Sequence, residues 1–422
     1  MLFLSVGLAY KTDGRLIYGV SGSGAPRYRI WDHGNSSWSA AASNPTANTT
    51  INWVVNKAAP TRRCNGSTWT NEWNATTRIS TWRSFDIAYE ENSGRAMVVY
   101  SNSGNNNMTY RIWNGSSWTA AANVLGTAEA YNIHWVELVS RPNSNEIALI
   151  YTLNDGSGGQ TLKAISWNGS SWETPSGNLE TNLAFASTAG DSKSFDAAYG
   201  NSGNLLVCWG WNNTTNNQLA ARYVTKPAGG AWGTVTNFPT WADEATVMNL
   251  APEPGGDRIV AVSADSKTQD MQYGVWNGSS WTSMVANADT SLNNTGWTQM
   301  PVAAGWVSTG ASPKAIVVYN DANSGAINWR SWNGSSWTNQ ADVLTTPSGF
   351  SNAIDIERQP GENKLMVTIE DSNGDLWTKT YDGTTWSDAD KGTALETALS
   401  TTAYMPFDFA YDRYATTTAG NG

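Results

Sequence analysis

Two kinds of residue in this chain recur at fixed spacings and could do chemistry. Trp113 and Trp118, Trp167 and Trp172, Trp276 and Trp281, and Trp332 and Trp337 bracket four copies of Asn-Gly-Ser-Ser. An indole offers a broad apolar plane and one N–H donor. It can stack on a sugar face or pack into a core, and packing is the commoner use. Asp86, Asp196 and Asp408 each hold the second place of a Phe-Asp-x-Ala-Tyr segment. Gathered into a ring they would make a metal or substrate site, although a buried carboxylate more often accepts from a neighbouring backbone N–H. Asp371-Ser372-Asn373-Gly374-Asp375 opens like a calcium loop, but its Gly stands fourth instead of sixth and no Glu stands twelfth. A hairpin turn is the better reading. His33 and His134 are the only two histidines, which leaves no histidine metal cluster and no Ser-His pair. No catalytic constellation, metal or cofactor is expected.

The turns define the elements that must carry these residues. Asn-Gly tolerates φ > 0 at both positions and is the strongest short hairpin signal. With a four-residue loop the flanking Trp residues face each other across the strands; with a two-residue loop they sit one rung apart. Looser copies run from Tyr381 to Trp386, from Cys64 to Trp69 and, two residues longer, from Trp31 to Trp38. Such hairpins end units of near 53 residues that alternate between two kinds. One opens with Phe85 to Tyr89, Phe195 to Tyr199 or Phe407 to Tyr411, with Val6 to Tyr10 and Val302 to Trp306 as degenerate members, so a double unit spans 105 to 110 residues. The other carries Pro60, Pro142, Pro254 or Pro360 before its second strand. That strand is an apolar run such as Ala96 to Tyr100, Leu205 to Trp209 or Ala315 to Tyr319, as expected where both faces are buried.

Short strands at even spacing, with Gly and Asn crowding out helices, predict an all-β fold. The expected architecture is one β-propeller domain over residues 1–422, with seven or eight blades of about four strands. The unit around 51–70 is abbreviated: Ile51 to Cys64 spans 13 residues where Ile133 to Trp167 spans 34. Phe407 to Tyr411 either closes the ring or begins a further blade, which would make the chain a piece of a longer surface protein.

Composition narrows the function. Among 422 residues only 14% are charged and the net charge is −10, which excludes nucleic acid and anionic membranes as partners. No apolar run reaches membrane-spanning length. Two cysteines, Cys64 and Cys208, exclude a disulfide framework and read as buried thiols. Asn114, Asn168, Asn277 and Asn333 lie in glycosylation sequons, but turn chemistry alone accounts for Asn-Gly-Ser-Ser.

Met108 to Trp118, with its Trp pair around Asn-Gly, resembles the repeat of the fucose-binding β-propeller lectins of bacteria and fungi. The resemblance covers the second to fourth strands of most units. It implies a sugar site built from an Arg on the second strand, a Glu three residues before the first Trp, and an aromatic beneath the sugar. Val98, Leu149 and Val317 stand where the Arg would be. Tyr28, Tyr110, Ala164, Tyr273, Trp329 and Thr378 stand where the Glu would be, and Arg29, Arg111 and Arg330 follow in three units. The expectation is a secreted or cell-surface, lectin-like module binding glycans without catalysis. Its candidate ligands are Trp113, Trp118, Trp167, Trp172, Trp276, Trp281, Trp332, Trp337, Tyr110, Arg111 and Arg330. A non-catalytic adhesin or scaffold propeller binding protein partners, and a sialidase-like secreted glycosidase, are the alternatives.

Overall fold

The computed structural model describes residues 2–5, 14–21, 26–32, 34–43, 60–64, 69–74, 83–102, 106–154, 160–184, 193–213, 218–241, 245–265, 268–292, 300–321, 326–340, 343, 351–399 and 405–411. They include seven antiparallel blades, and in the second to seventh the strands run outward from the axis in chain order. The second blade shows the plan: inner strand Phe85–Tyr89, second strand Ala96–Asn102, third strand Asn107–Trp113 and outer strand Ala122–Asn123. The third to seventh blades begin with inner strands Asn132–Ser140, Phe195–Tyr199, Val247–Pro252, Val302–Ser308 and Ser351–Arg358.

The first blade closes the ring. Its second strand, Gly14–Tyr18, pairs with Arg27–Asp32 on one side and with the C-terminal strand Phe407–Tyr411 on the other, Gly14 opposite Tyr411 and Tyr18 opposite Phe407. Gly14 is required because a Cβ there would lie 2.2 Å from the Phe409 ring. The last Phe-Asp-x-Ala-Tyr segment is therefore an inner strand completing a blade begun at the other end of the chain.

The abbreviated unit is a three-stranded sheet: Leu2–Ser5 pairs in parallel with Pro60–Cys64, which pairs antiparallel with Trp69–Asn74. In a full blade the inner and third strands run the same way with the second strand between them. A parallel pair is what remains when no second strand intervenes. Val6 to Tyr10 and Ile51 to Val54, read above as strands, lie outside the described residues.

The core lies between blades. One cluster joins Met97, Val99 and Met108 of the second blade to Leu149, Tyr151 and Ile165 of the third; another joins Val260 and Val262 of the fifth to Val317 and Trp332 of the sixth. A single blade cannot bury its own faces, so neighbouring blades do it. The second strands are buried along most of their length, as their apolar runs require; Cys208 lies buried in one of them.

The hairpins take the four-residue form. Trp276 pairs with Trp281 and Trp332 with Trp337, and bridges join Trp113 to Trp118 and Trp167 to Trp172. The loop Asn acts as an internal cap: Asn114 Oδ1 accepts from the backbone N–H of Ser116 and of Ser117, each at 2.9 Å. Gly115 at φ +100° supplies the backbone conformation that an L side chain disfavours. Asp382 plays the same part in the seventh blade, and the hydroxyl and amide donors around it hold its carboxyl well below the usual carboxylate range.

Candidate functional site

Position along the third strand decides what each hairpin Trp touches. The first Trp of a pair is buried, as in Trp113, Trp167, Trp276 and Trp332; the second, Trp118, Trp172, Trp281 or Trp337, is half-buried. The second Trp leans on the preceding blade, against the residue three places before that blade's own first Trp. Trp172 meets Tyr110 edge-on at 5.7 Å, Trp337 meets Tyr273 at 4.5 Å, and Trp386 meets Trp329 at 5.5 Å. In the fifth blade Trp281 meets Tyr223 at 5.8 Å, three places before Lys226, which holds the register of a first Trp. Trp38 of the first blade reaches Thr378 instead and donates to its hydroxyl at 3.0 Å. Most positions at which the lectin repeat places a Glu thus carry aromatics that pack against the next blade.

A second constellation lies on the other face of the same strands. At three junctions a base sits four places before the first Trp, or in the fourth blade before Lys226, directly opposite an aromatic of the second strand. The base meets an acid supplied by the preceding blade, and at the first two of these junctions the aromatic donates to the same acid. Between the second and third blades, Glu129 accepts from Tyr151 Oη and from Lys163 Nζ, both at 2.7 Å. Between the third and fourth, Glu180 Oε2 accepts from Arg222 at 2.8 Å and from Trp209 Nε1 at 3.2 Å. Between the seventh and first, Glu396 accepts from Arg27 at 2.7 Å, with Tyr18 opposite Arg27. Burial and the Glu129 carboxylate push the Tyr151 hydroxyl far above its ordinary value, so it stays a donor.

The inner strands bring a third group to the ring axis. Asp86 sits beside Arg83 at 3.4 Å and accepts from the Leu138 amide of the next blade at 2.8 Å. Asp196 accepts from the Leu250 amide of the next blade at 2.7 Å, and Asn249 Oδ1 from the Ala304 amide at 2.9 Å. Lys193 bridges Glu137 of the third blade, at 3.2 Å, and Asp196 of its own, at 3.3 Å. Burial raises the Glu137 carboxyl and the neighbouring Asp196 raises it further, against the pull of Lys193. Asp355 is pushed up to about 7 by burial and by Asp408, opposed by Arg83. Burial alone would lower Lys193, but Asp196 and Glu137 outweigh it and keep the ammonium charged. These groups stitch adjacent blades together, and no group of three or more potential ligands among the described residues is arranged to hold a metal ion.

The structure distributes the sequence-predicted residues over several junctions. Arg111 donates to the Thr119 carbonyl at 3.2 Å. Arg330 is buried, donating to the Ala288 carbonyl at 2.9 Å with its guanidinium 5.4 Å from the Tyr319 ring centre. Among the described residues the exposed large hydrophobic is Tyr131, not a Trp. Sequence reasoning missed Glu129, Tyr151, Lys163, Glu180, Trp209, Arg222, Tyr18, Arg27 and Glu396. The available signal was a basic residue four before the first Trp. It also missed Glu137, Asn249 and Asp355, which stand five residues before Pro142, Pro254 and Pro360.

The fold has recognisable relatives. It is similar to the BP39L lectin from Burkholderia pseudomallei, with a TM-score of 0.54 and 12% identity over 92% of this chain and 100% of that one. Weaker likenesses are to AofleA from Arthrobotrys oligospora, at TM-score 0.42 and 13% identity over 78% of this chain and 89% of that one, and to the Penicillium chrysogenum alpha-L-arabinanase complexed with arabinobiose, at 0.41 and 12% over 71% and 93%. No protein-family model matches the sequence, and no curated protein is similar to it. The chain is a seven-bladed, lectin-like β-propeller in fold.

Proposed function

We propose that this chain is a non-catalytic, carbohydrate-binding propeller, secreted or displayed at a cell surface, with its sites in the grooves between blades. The observation that carries this reading is the acid, base and aromatic set at one register in three junctions. Sugar recognition needs an apolar plane beside donors of fixed direction, and a base tied to a buried acid is such a donor. Trp172 and Tyr110 meet at the first of these junctions, while Trp281, Trp337 and Arg330 lie at the fourth-to-fifth and fifth-to-sixth junctions of the ring; with Trp118 and Arg111 they complete the candidate ligands. Buried Trp113, Trp167, Trp276 and Trp332 stand behind them. Repetition would add avidity to sites that are shallow singly.

The axial carboxylates support a binding role over a hydrolytic one, because Asp86 and Asp196 are engaged by backbone amides and Asp196 and Glu137 by Lys193. A scaffold or adhesin propeller within a larger surface protein is the second reading, favoured by the packing of the hairpin Trp rings on neighbouring blades. A glycan array probed with the intact protein separates the two: the lectin reading expects a defined set of bound glycans, and an array without any bound glycan refutes it.

A further inference from the structure

We infer that the groove between the third and fourth blades, centred on Arg222, is a binding site for a neutral sugar presenting adjacent hydroxyls. The inference rests on the carbohydrate reading above and names one site within it. Arg222 is fixed on three sides. One terminal nitrogen donates to Glu180 Oε2 at 2.8 Å, Nε donates to Asn237 Oδ1 at 3.1 Å, and the guanidinium lies over Trp211, 3.3 Å from the ring centre. Arginine carries five N–H donors. The second terminal nitrogen is not used by these contacts, and the side chain keeps 23% of its surface exposed. A planar fork held this rigidly suits a pair of oxygen acceptors in one plane.

The surroundings select against a charged ligand. Glu180 is 5% exposed and cancels the charge of Arg222 at contact distance. Its own oxygens are engaged, Oε2 by Trp209 and Arg222, Oε1 by the amides of Thr181 at 3.0 Å and Asn182 at 3.1 Å. It orients the arginine and has no acceptor to spare. The exposed neighbours are the carboxamides of Asn182 and Asn237, which both donate and accept, as hydroxyls require. Trp211, half-buried, gives an apolar edge beside them. The third blade presents the small Ala164 to this groove where the second, fifth and sixth have Tyr110, Tyr273 and Trp329. The other two junctions are poorer: Lys163 is a point charge without a fork, and Arg27 has no stacked indole among the described contacts.

The test uses the intact chain on an array of neutral mono- and oligosaccharides together with sialylated and uronate-bearing glycans. Isothermal titration then follows with the neutral glycan bound most strongly. Arg222→Lys keeps the charge and loses the fork; it is expected to weaken binding about tenfold or more and to lower the stoichiometry by one site. Asn237→Ala, an exposed change, should weaken the same site even if Arg222→Lys disturbs folding. Neutral binding unchanged by both variants overturns this site while leaving the lectin reading intact. An array bound only through acidic glycans overturns the ligand class, and an array with no binding overturns both.

Discussion

The junction between the fifth and sixth blades offers a direct measure of whether a hairpin Trp is architecture. Ser283 lies at an irregularity of the fifth blade's outer strand, at φ +51°, and is aimed at the next blade's hairpin. Its hydroxyl accepts from Trp332 Nε1 at 3.1 Å and its carbonyl from Trp337 Nε1 at 2.8 Å. Trp332 is also edge-on to Trp306 at 5.9 Å, and Trp337 lies 4.5 Å from Tyr273. Trp337→Ala removes about 100 Å² of covered apolar surface, worth about 2.5 kcal/mol, and a hydrogen bond of about 1 kcal/mol. An expected loss of about 3.5 kcal/mol follows. Trp332→Ala, at a fully buried site, should cost about 3–5 kcal/mol. The two should not add, because they share Ser283 and face each other across the hairpin. Urea unfolding of the intact protein followed by near-UV circular dichroism reads both, the midpoint shift giving the loss at unchanged slope. A loss below about 0.5 kcal/mol for Trp337→Ala would refute the packing argument, since surface substitutions fall in that range. If glycan binding also vanished, the ring would have to be a ligand platform.

Two further outcomes follow from the axis and from a buried acid. Asp196→Ala orphans the Leu250 amide and leaves Lys193 with Glu137 alone, so a loss of about 2–4 kcal/mol is expected, with Asp196→Asn milder; equal, near-zero effects in chemical denaturation would show that the axial bonds do not join the blades. Glu370 is buried, and burial followed by the charge of Asp371 pushes its carboxyl up to about 8 from an ordinary 4.5. A raised carboxyl favours the fold when protonated, so this contribution is present at acid pH and lost as pH rises through about 8, at most about 5 kcal/mol in all. Glu370→Gln cannot ionise. Thermal melts should show the variant losing less stability than the parent between about pH 5 and about pH 9, and parallel curves would contradict the assignment.

Legibility in the sequence tracked how local the physics was. The Asn-Gly-Ser-Ser hairpin and the buried second strands could be read because each is specified within about ten consecutive residues. Loop length could not, since both hairpin registers satisfy the same letters and the choice depends on cross-strand pairing. Ring closure was equally open: Phe407 to Tyr411 and Val6 to Tyr10 carry the same strand pattern, and only the pairing with Gly14–Tyr18 assigns the first of them. The junction sets were invisible because Glu180, Trp209 and Arg222 come from two blades and their counterparts change identity, Lys163 for Arg222 and Tyr151 for Trp209. At the axis, Glu137 and Asn249 differ in letter from Asp86, Asp196 and Asp408, and Asp355 stands outside a Phe-Asp-x-Ala-Tyr segment, which hid a shared position.

Side-chain alternation along the third strand explains why aromatic packing and charged pairs coexist without competing. Consecutive residues point to opposite faces of a sheet. The residue three before the first Trp therefore faces the following blade, and the residue four before it faces the preceding one. Tyr110 accordingly touches Trp172 of the following blade, while Lys163 touches Glu129 of the preceding one. Each groove is thus bounded by the first kind of position from one blade and the second kind from the next. Where the first kind is aromatic, as with Tyr110, Tyr273 and Trp329, the opposing residues are Lys163, Asn328 and Trp377. Where it is small, as with Ala164 and Thr378, the opposing residues are Arg222 and Arg27, each paired with a glutamate. An aromatic at the first kind of position packs the groove, whereas opposite a small residue the arginine is paired with a glutamate. In the repeat this chain resembles, the charged sugar ligand stands on the first kind of position. Here that position carries no carboxylate, and the basic residues Lys163, Arg222 and Arg27 stand one place earlier, facing the groove on the other side of the blade.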